Sequence, residues 1–258
     1  MPKDRTMSLR HHIREARRRL VRSAAALLLA SVGGWFLTGP VLDAMRAPVA
    51  ALAASGHHTA NLNFSSISGA FDLKFEIALT AGAILSSPVW LYQLFAFVTP
   101  GLTGREKRYT FGFFFAALPL FLFGCASGWY VLPHIAGVML GFASPQDATL
   151  IDATGYYDFV LKLVLVVGAA FLLPVVLVAL NFLGIVSSRA LMKAWRFALL
   201  AIVLFTAIAT PAADVVSMFV LALPMVALYL AAVGIAWMRD RRVLRRTSAL
   251  LATAPGEA

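Results

Sequence analysis

Six apolar stretches, at about 21–38, 75–98, 111–132, 159–183, 197–209 and 215–238, alternate with short polar connections along the whole chain. A helix needs ~20 mostly apolar residues to cross ~30 Å of hydrocarbon. The second, third, fourth and sixth stretches satisfy that, and the first sits at the low end. The fifth has only 13 residues between Arg196 and Thr210, about 20 Å at ~1.5 Å per residue. Either Trp195 and Arg196 snorkel from membrane depth or the bilayer thins there. In lipid every backbone polar group must be satisfied internally, so a chain of this pattern is expected to fold as an all-α integral membrane protein with six transmembrane helices. It reads as a single membrane domain over residues 1–246, with 247–258 a disordered tail.

The positive charge sets the orientation. Nineteen of the 22 Lys and Arg residues fall in segments 1–22, 101–109, 184–196 and 239–246. The alternate loops, 39–70 and 133–158, are nearly bare of it. This is the positive-inside pattern, and it puts both termini in the cytoplasm. The net charge of +10 therefore needs no nucleic-acid partner, because it sits at membrane edges. With 60% hydrophobic and 13% charged residues and a mean hydropathy of +0.82, the chain falls well below the quarter of charged residues usual in soluble domains.

Arg17-Arg18-Arg19 before the first apolar run resembles the start of a cleavable signal. No clear small-residue cleavage site precedes Gly39-Pro40, so the run is read as the first anchor. In the first outer loop Val41, Leu42, Met45, Val49 and Leu52 recur at helical spacing, which predicts an amphipathic helix along the outer surface. Cys125 is the one cysteine and lies within an apolar run. It fits ordinary packing and forms no CxxC motif.

Catalytic sets are missing from the sequence. There is no HExxH, GxSxG, Walker lysine loop or GxGxxG, so no enzyme, cofactor or metal is expected. His57-His58 reads as a solvated pair, since adjacent histidines point apart. Ionisable residues near the spans are few. Asp158 and Lys162 stand four apart and read as a local ion pair, with Lys162 snorkelling outward. Asp72, Lys74 and Glu76 read the same way. Thr210 before Pro211 is placed to cap the last span, with Asp214 in its first turn complementing the helix dipole.

On the basic side two acids stand among arginines away from the chain ends. Leu9, Ile13, Ala16 and Leu20 form one helical stripe, which puts Glu15 opposite Arg18 and Arg19 at i+3 and i+4. Glu106 follows Thr103 by three, as in a capping box. A helix ion pair and a cap account for these two glutamates as well as a binding role does, and the residues alone leave both readings open.

Several motifs in order resemble one family. His12-Ile13-Arg14-Glu15-Ala16-Arg17-Arg18-Arg19-Leu20 is similar to the HL-x-ELR-x-RL motif of TatC, the multispanning subunit of the twin-arginine translocase. Ala47-Pro48 follows in the first outer loop. The strongest stretch runs Ser87-Pro88-Val89-Trp90-Leu91-Tyr92-Gln93-Leu94-Phe95-Ala96-Phe97-Val98-Thr99-Pro100-Gly101-Leu102, with Glu106-Lys107-Arg108 after it. It resembles the family's P-x-x-x-YQ-x-W-x-F-x-x-PGL-x-x-x-E-[KR]-[KR] signature. Phe171-Leu172-Leu173-Pro174, Thr210-Pro211-Ala212-Ala213-Asp214 and Leu221-Ala222-Leu223-Pro224-Met225 are later echoes.

The resemblance implies a concave six-helix bundle in the bacterial cytoplasmic membrane. It implies a receptor for signal peptides bearing an arginine pair, the core of a machine that moves folded proteins using the proton-motive force. TatA/TatB-type single-span proteins would be its partners in an oligomeric complex. By motif, Glu15 and Glu106 would accept the two guanidinium groups, a role that suits arginine's planar fork and not lysine. Arg17, Phe97 and Pro48 match positions that shape the binding surface. Asp214 matches the aspartate before the last span, and Thr210 and Ser217 lie where partners dock. Leu172 and Leu230 stand where glutamates are usual, Phe95 where tryptophan is, and Ala16 where leucine is. The alternative is a small-molecule or ion secondary transporter, against which stand the lack of paired midplane charges and of an inverted repeat.

Overall fold

A computed structural model describes residues 9–54, 60–64, 66–98, 104–141, 149–209 and 215–253. The chain folds as two compact units that meet in sequence between Ala169 and Ala170. The first holds α1 (Leu9–Phe36), α2 (Thr38–Ala54), β1 (Ala60–Asn63), α3 (Gly69–Leu85), α4 (Ser87–Val98), α5 (Gly104–Gly141), β2 (Thr149–Asp152) and α6 (Ala153–Ala170). The second holds α7 (Leu173–Phe182), α8 (Ser188–Lys193), α9 (Trp195–Ala209) and α10 (Val215–Thr253).

Helical structure covers every expected span, with breaks that the apolar pattern conceals. The second stretch is two helices, α3 and α4, bent by 56°. Pro88 causes this, because proline has no amide hydrogen and excludes the preceding turn. Within hydrocarbon the carbonyls freed by such a break need new donors. The Trp90 indole Nε1–H supplies one, donating to Ala83 O across the bend at 2.9 Å. The fourth stretch is also interrupted, between α6 and α7 at Phe171-Leu172, with Pro174 in the first turn of α7. Three stretches, Phe111–Pro133, Ala153–Phe182 and Met218–Arg245, are long and apolar enough to cross a membrane, and two bent pairs qualify as joined spans. Trp195–Ala209 is the shorter apolar helix that the sequence marks as unusual.

The first span and the outer amphipathic segment form the other bent pair, α1 and α2, at 65°. Leu37 separates them, and Pro40 falls in the first turn of α2, where its missing amide costs least. The helix expected from the stripe of α2 forms, and that stripe packs against protein. Met45 is fully buried in a core with Leu73, Ile77, Leu132, Tyr157 and Val160, and Val41 and Leu42 pack against it. The contact is tied by polar bonds as well. Arg46 Nε donates to the Tyr157 hydroxyl at 3.2 Å, and the Tyr156 hydroxyl donates to Met45 O at 3.1 Å.

Helices α1 and α3 pack through glycines. A Cβ on Gly82 would lie 2.7 Å from Ser31 Cα, and one on Gly34 would lie 2.5 Å from Ala78 O. Close backbone approach of this kind drives helix association in lipid, where apolar burial gives little. Buried Cys125 packs against Gly168 in the same manner, as the sequence suggests.

Two features depart from expectation. Loops 39–70 and 133–158, expected on the outer side, each contribute a strand, and β1 and β2 pair in parallel, with Ala60 opposite Thr149 and Asn63 opposite Asp152. Helix α10 runs to Thr253, so residues 247–253 are helical where a disordered tail is expected. The run after Met238 is rich in Arg, Leu and Ala, all strong helix formers.

Candidate functional site

At one end of the first unit the start of α1, the end of α4 and the start of α5 come together. Helix α1 packs on α4, and α4 packs on α5. Glu15 lies on the polar side of α1 and is largely shielded, with 22% of its side chain exposed. Of the two arginines within reach on the helix, Arg19 holds it. Arg19 Nε and Nη2 both donate to Glu15 Oε1, at 3.0 and 2.6 Å. The third donor of the fork, Nη1, reaches Gln93 Oε1 on α4 at 3.2 Å. One guanidinium therefore joins a carboxylate on one helix to an amide on another.

Phe97 is one helical turn beyond Gln93, so it lies on the same face of α4; it is half-buried. Arg17 is exposed on α1, two residues from Glu15 and hence near the opposite side of that helix. Glu106 occupies the third position of α5, in the first turn as the capping-box spacing requires. Its side chain lies outside the described residues, as does Thr103. The structure thus joins Glu15, Arg19 and Gln93 directly and brings the segment bearing Glu106 to the same group of helices.

The remaining candidates lie elsewhere. Pro48 is half-buried within α2, one residue before buried Val49. Thr210 and Asp214 fall outside the described residues, and Ser217 is in the first turn of α10 with its side chain undescribed. Leu172, where the family pattern has glutamate, is buried at the α6–α7 break and caps α7 without any side-chain bond. Leu230 is exposed at 59%. Asp158 and Lys162 form the expected ion pair at 2.5 Å.

Two residues matter more than the sequence indicates. Gln93 stands inside the strongest motif, yet nothing local marks it as the partner of an arginine 74 positions away. Asp240 reads as a tail acid. In the second unit it accepts from the Ser188 backbone N–H at 2.8 Å and from Asn181 Nδ2 at 3.2 Å. Beside it the Arg239 guanidinium donates to Asn181 O and, at 3.0 Å, to Phe182 O. Together they close the end of α7, where Gly184 takes a left-handed φ of 73°.

Known proteins share both the sequence pattern and the fold. Residues 11–224 match the family described as Sec-independent protein translocase protein (TatC). The TatC protein of Xylanimonas cellulosilytica is 42% identical, over 94% of this chain and 88% of its own. That of Rothia mucilaginosa is 35% identical, over 95% and 84%. The chloroplast TATC protein of Arabidopsis thaliana is 31% identical, over 92% and 68%. A crystal structure of the twin-arginine translocase receptor TatC in DDM superposes with a TM-score of 0.74 at 28% identity, over 87% of this chain and 99% of that one. The chain therefore belongs to the TatC family, and is a multi-pass protein of the bacterial cytoplasmic membrane that serves as a core subunit of the Sec-independent, twin-arginine protein translocase rather than as an enzyme.

Proposed function

We propose that within this translocase the chain is the receptor for the signal peptide, with Glu15 and Glu106 accepting the guanidinium groups of an arginine pair. The observation that carries this is the Arg19 fork on Glu15 Oε1. The carboxylate already holds a guanidinium in a largely shielded setting, beside a second acceptor on α4. Such charge-assisted contacts are worth ~1.5–3 kcal/mol each. The surrounding face is basic and would repel a cationic peptide, so these acids carry the attraction. Arg17 and Phe97 complete the binding surface.

The reading includes six spans with both termini inside. Pairing of β1 with β2 supports this, because it requires loops 39–70 and 133–158 to share a side. The Arg19–Gln93 bond likewise draws the N-terminal segment to the α4 end that precedes the basic 101–109 loop. TatA/TatB-type single-span proteins are the proposed partners, with Pro48, Thr210, Asp214 and Ser217 as structural or docking positions. Transport of the folded cargo would draw on the proton-motive force. A small-molecule or ion transporter is not favoured.

Site-specific crosslinking from positions 15 and 106 to a twin-arginine precursor tests the receptor reading. Glu15→Ala and Glu106→Ala should each weaken the crosslink, and a twin-lysine precursor should compete poorly. Normal binding and export in both variants would make the two glutamates structural.

A further inference from the structure

A second charged surface belongs to the second unit. There the connection after α7, the start of α8 and the part of α10 beyond the apolar run enclose a cleft of about 770 Å³. Its wall includes Arg189, Arg239 and Arg241 together with Met192, Trp237 and Leu244. Asp240 also lines it, but that carboxylate is already engaged by the Ser188 N–H, Asn181 and Arg239. Arg239 in turn is occupied with the carbonyls that end α7.

Two guanidinium groups are left over. Arg189 and Arg241 are exposed, and among the described residues no carboxylate pairs with either. Arg241 lies over the Trp237 ring, 4.3 Å from its centroid. Trp237 is 40% exposed, where the apolar run of α10 gives way to arginine. Tryptophan and arginine in that order mark the headgroup level of a bilayer. The cleft thus offers uncompensated positive charge next to an apolar wall, at the depth where a phospholipid changes from phosphate to acyl chain. A cationic peptide is excluded by the charge, and a purely soluble anion would leave the apolar wall unused.

We infer that this cleft binds an anionic phospholipid of the inner leaflet, its phosphate held by Arg189 and Arg241 and its glycerol and first methylenes against Trp237 and Met192. Basic pockets between helices on the cytoplasmic side suit such headgroups. The inference goes beyond the signal-peptide reading and survives its failure, since it involves neither Glu15 nor Glu106.

The test is native mass spectrometry of the full chain in detergent with phosphatidylglycerol or phosphatidylcholine added, and with inorganic phosphate as competitor. Phosphatidylglycerol should be retained over phosphatidylcholine. The preference should fall about fivefold for each of Arg189→Gln and Arg241→Gln. Arg196→Gln, outside the cleft, should leave it unchanged. An unchanged unfolding temperature establishes that the variants are folded. Independently, phosphatidylglycerol brominated on its acyl chains should quench wild-type fluorescence more than brominated phosphatidylcholine, and Trp237→Phe should abolish that difference. Equal retention of the two lipids, full retention by the double variant, equal quenching, or displacement of the lipid by inorganic phosphate would each overturn the proposal.

Discussion

Arg19 places two of its donors on a single oxygen of Glu15, at 3.0 and 2.6 Å, and neither of these bonds goes to Oε2. The pair is an i,i+4 helix contact, worth ~0.3–0.5 kcal/mol when exposed. A ligand guanidinium that makes a charge-assisted contact of ~1.5–3 kcal/mol can displace it or share the carboxylate with it. Arg19→Gln should then change the affinity for a twin-arginine peptide by no more than about threefold. Glu15→Gln should lower it by about tenfold or more. Titration calorimetry with the detergent-purified chain measures both. Comparable losses in the two variants would shift the recognition role from Glu15 to Arg19.

At the α1–α3 contact there is no room for a side chain on Gly82, because its Cβ would stand 2.7 Å from the Ser31 backbone. Gly82→Ala should destabilise the protein by ~1–3 kcal/mol, the usual cost of overpacking. Gly112→Ala is the matched control, since nothing lies within 4 Å of that Cβ. It should be neutral or slightly stabilising in the same thermal unfolding assay.

At the bend between α3 and α4, Ala83 O accepts from the Trp90 indole at 2.9 Å and from the Ser86 hydroxyl at 3.4 Å. Trp90→Phe keeps an aromatic ring near Phe121, which the indole meets edge-on at 5.2 Å, but deletes the bond to Ala83 O. A loss of ~0.6–1.7 kcal/mol is expected, the range found for polar bonds within membrane helices. Should stability not change, the bond that the Ser86 hydroxyl already makes to that carbonyl is enough to satisfy it.

Removing Asp240 strips the Ser188 N–H of its acceptor and Arg239 of its counter-charge. Asp240→Ala should cost ~1.5–3 kcal/mol. It should also raise proteolysis in the 183–188 connection, which limited digestion would detect. Uncleaved connection in the folded variant would show that Arg239 closes the end of α7 without help.

The helices and the Glu15–Arg19 pair were legible in the sequence because both rest on local spacing. Apolar length reveals a span, and an i+4 offset reveals an ion pair, although only packing against Gln93 selects Arg19 over Arg18. What escaped was non-local or too slight for hydropathy to register. Pro88 and Pro174 barely alter the apolar character of their windows, so the bend between α3 and α4 and the break before α7 both read as continuous spans. Ala60–Asn63 and Thr149–Asp152 are four residues each, far apart in the chain, and make a ladder only with one another. Asp240 looked idle because its partners, Asn181 in α7 and Ser188 in α8, precede it by 59 and 52 residues.

That ladder also has a consequence for biogenesis. Strand β1 emerges early in synthesis and β2 only after three more helices have been made. Until β2 has been made, β1 lacks the strand it pairs with among the described residues and exposes that edge. The clasp is therefore among the last contacts of the first unit to form, and its closure signals that α3, α4 and α5 are in place.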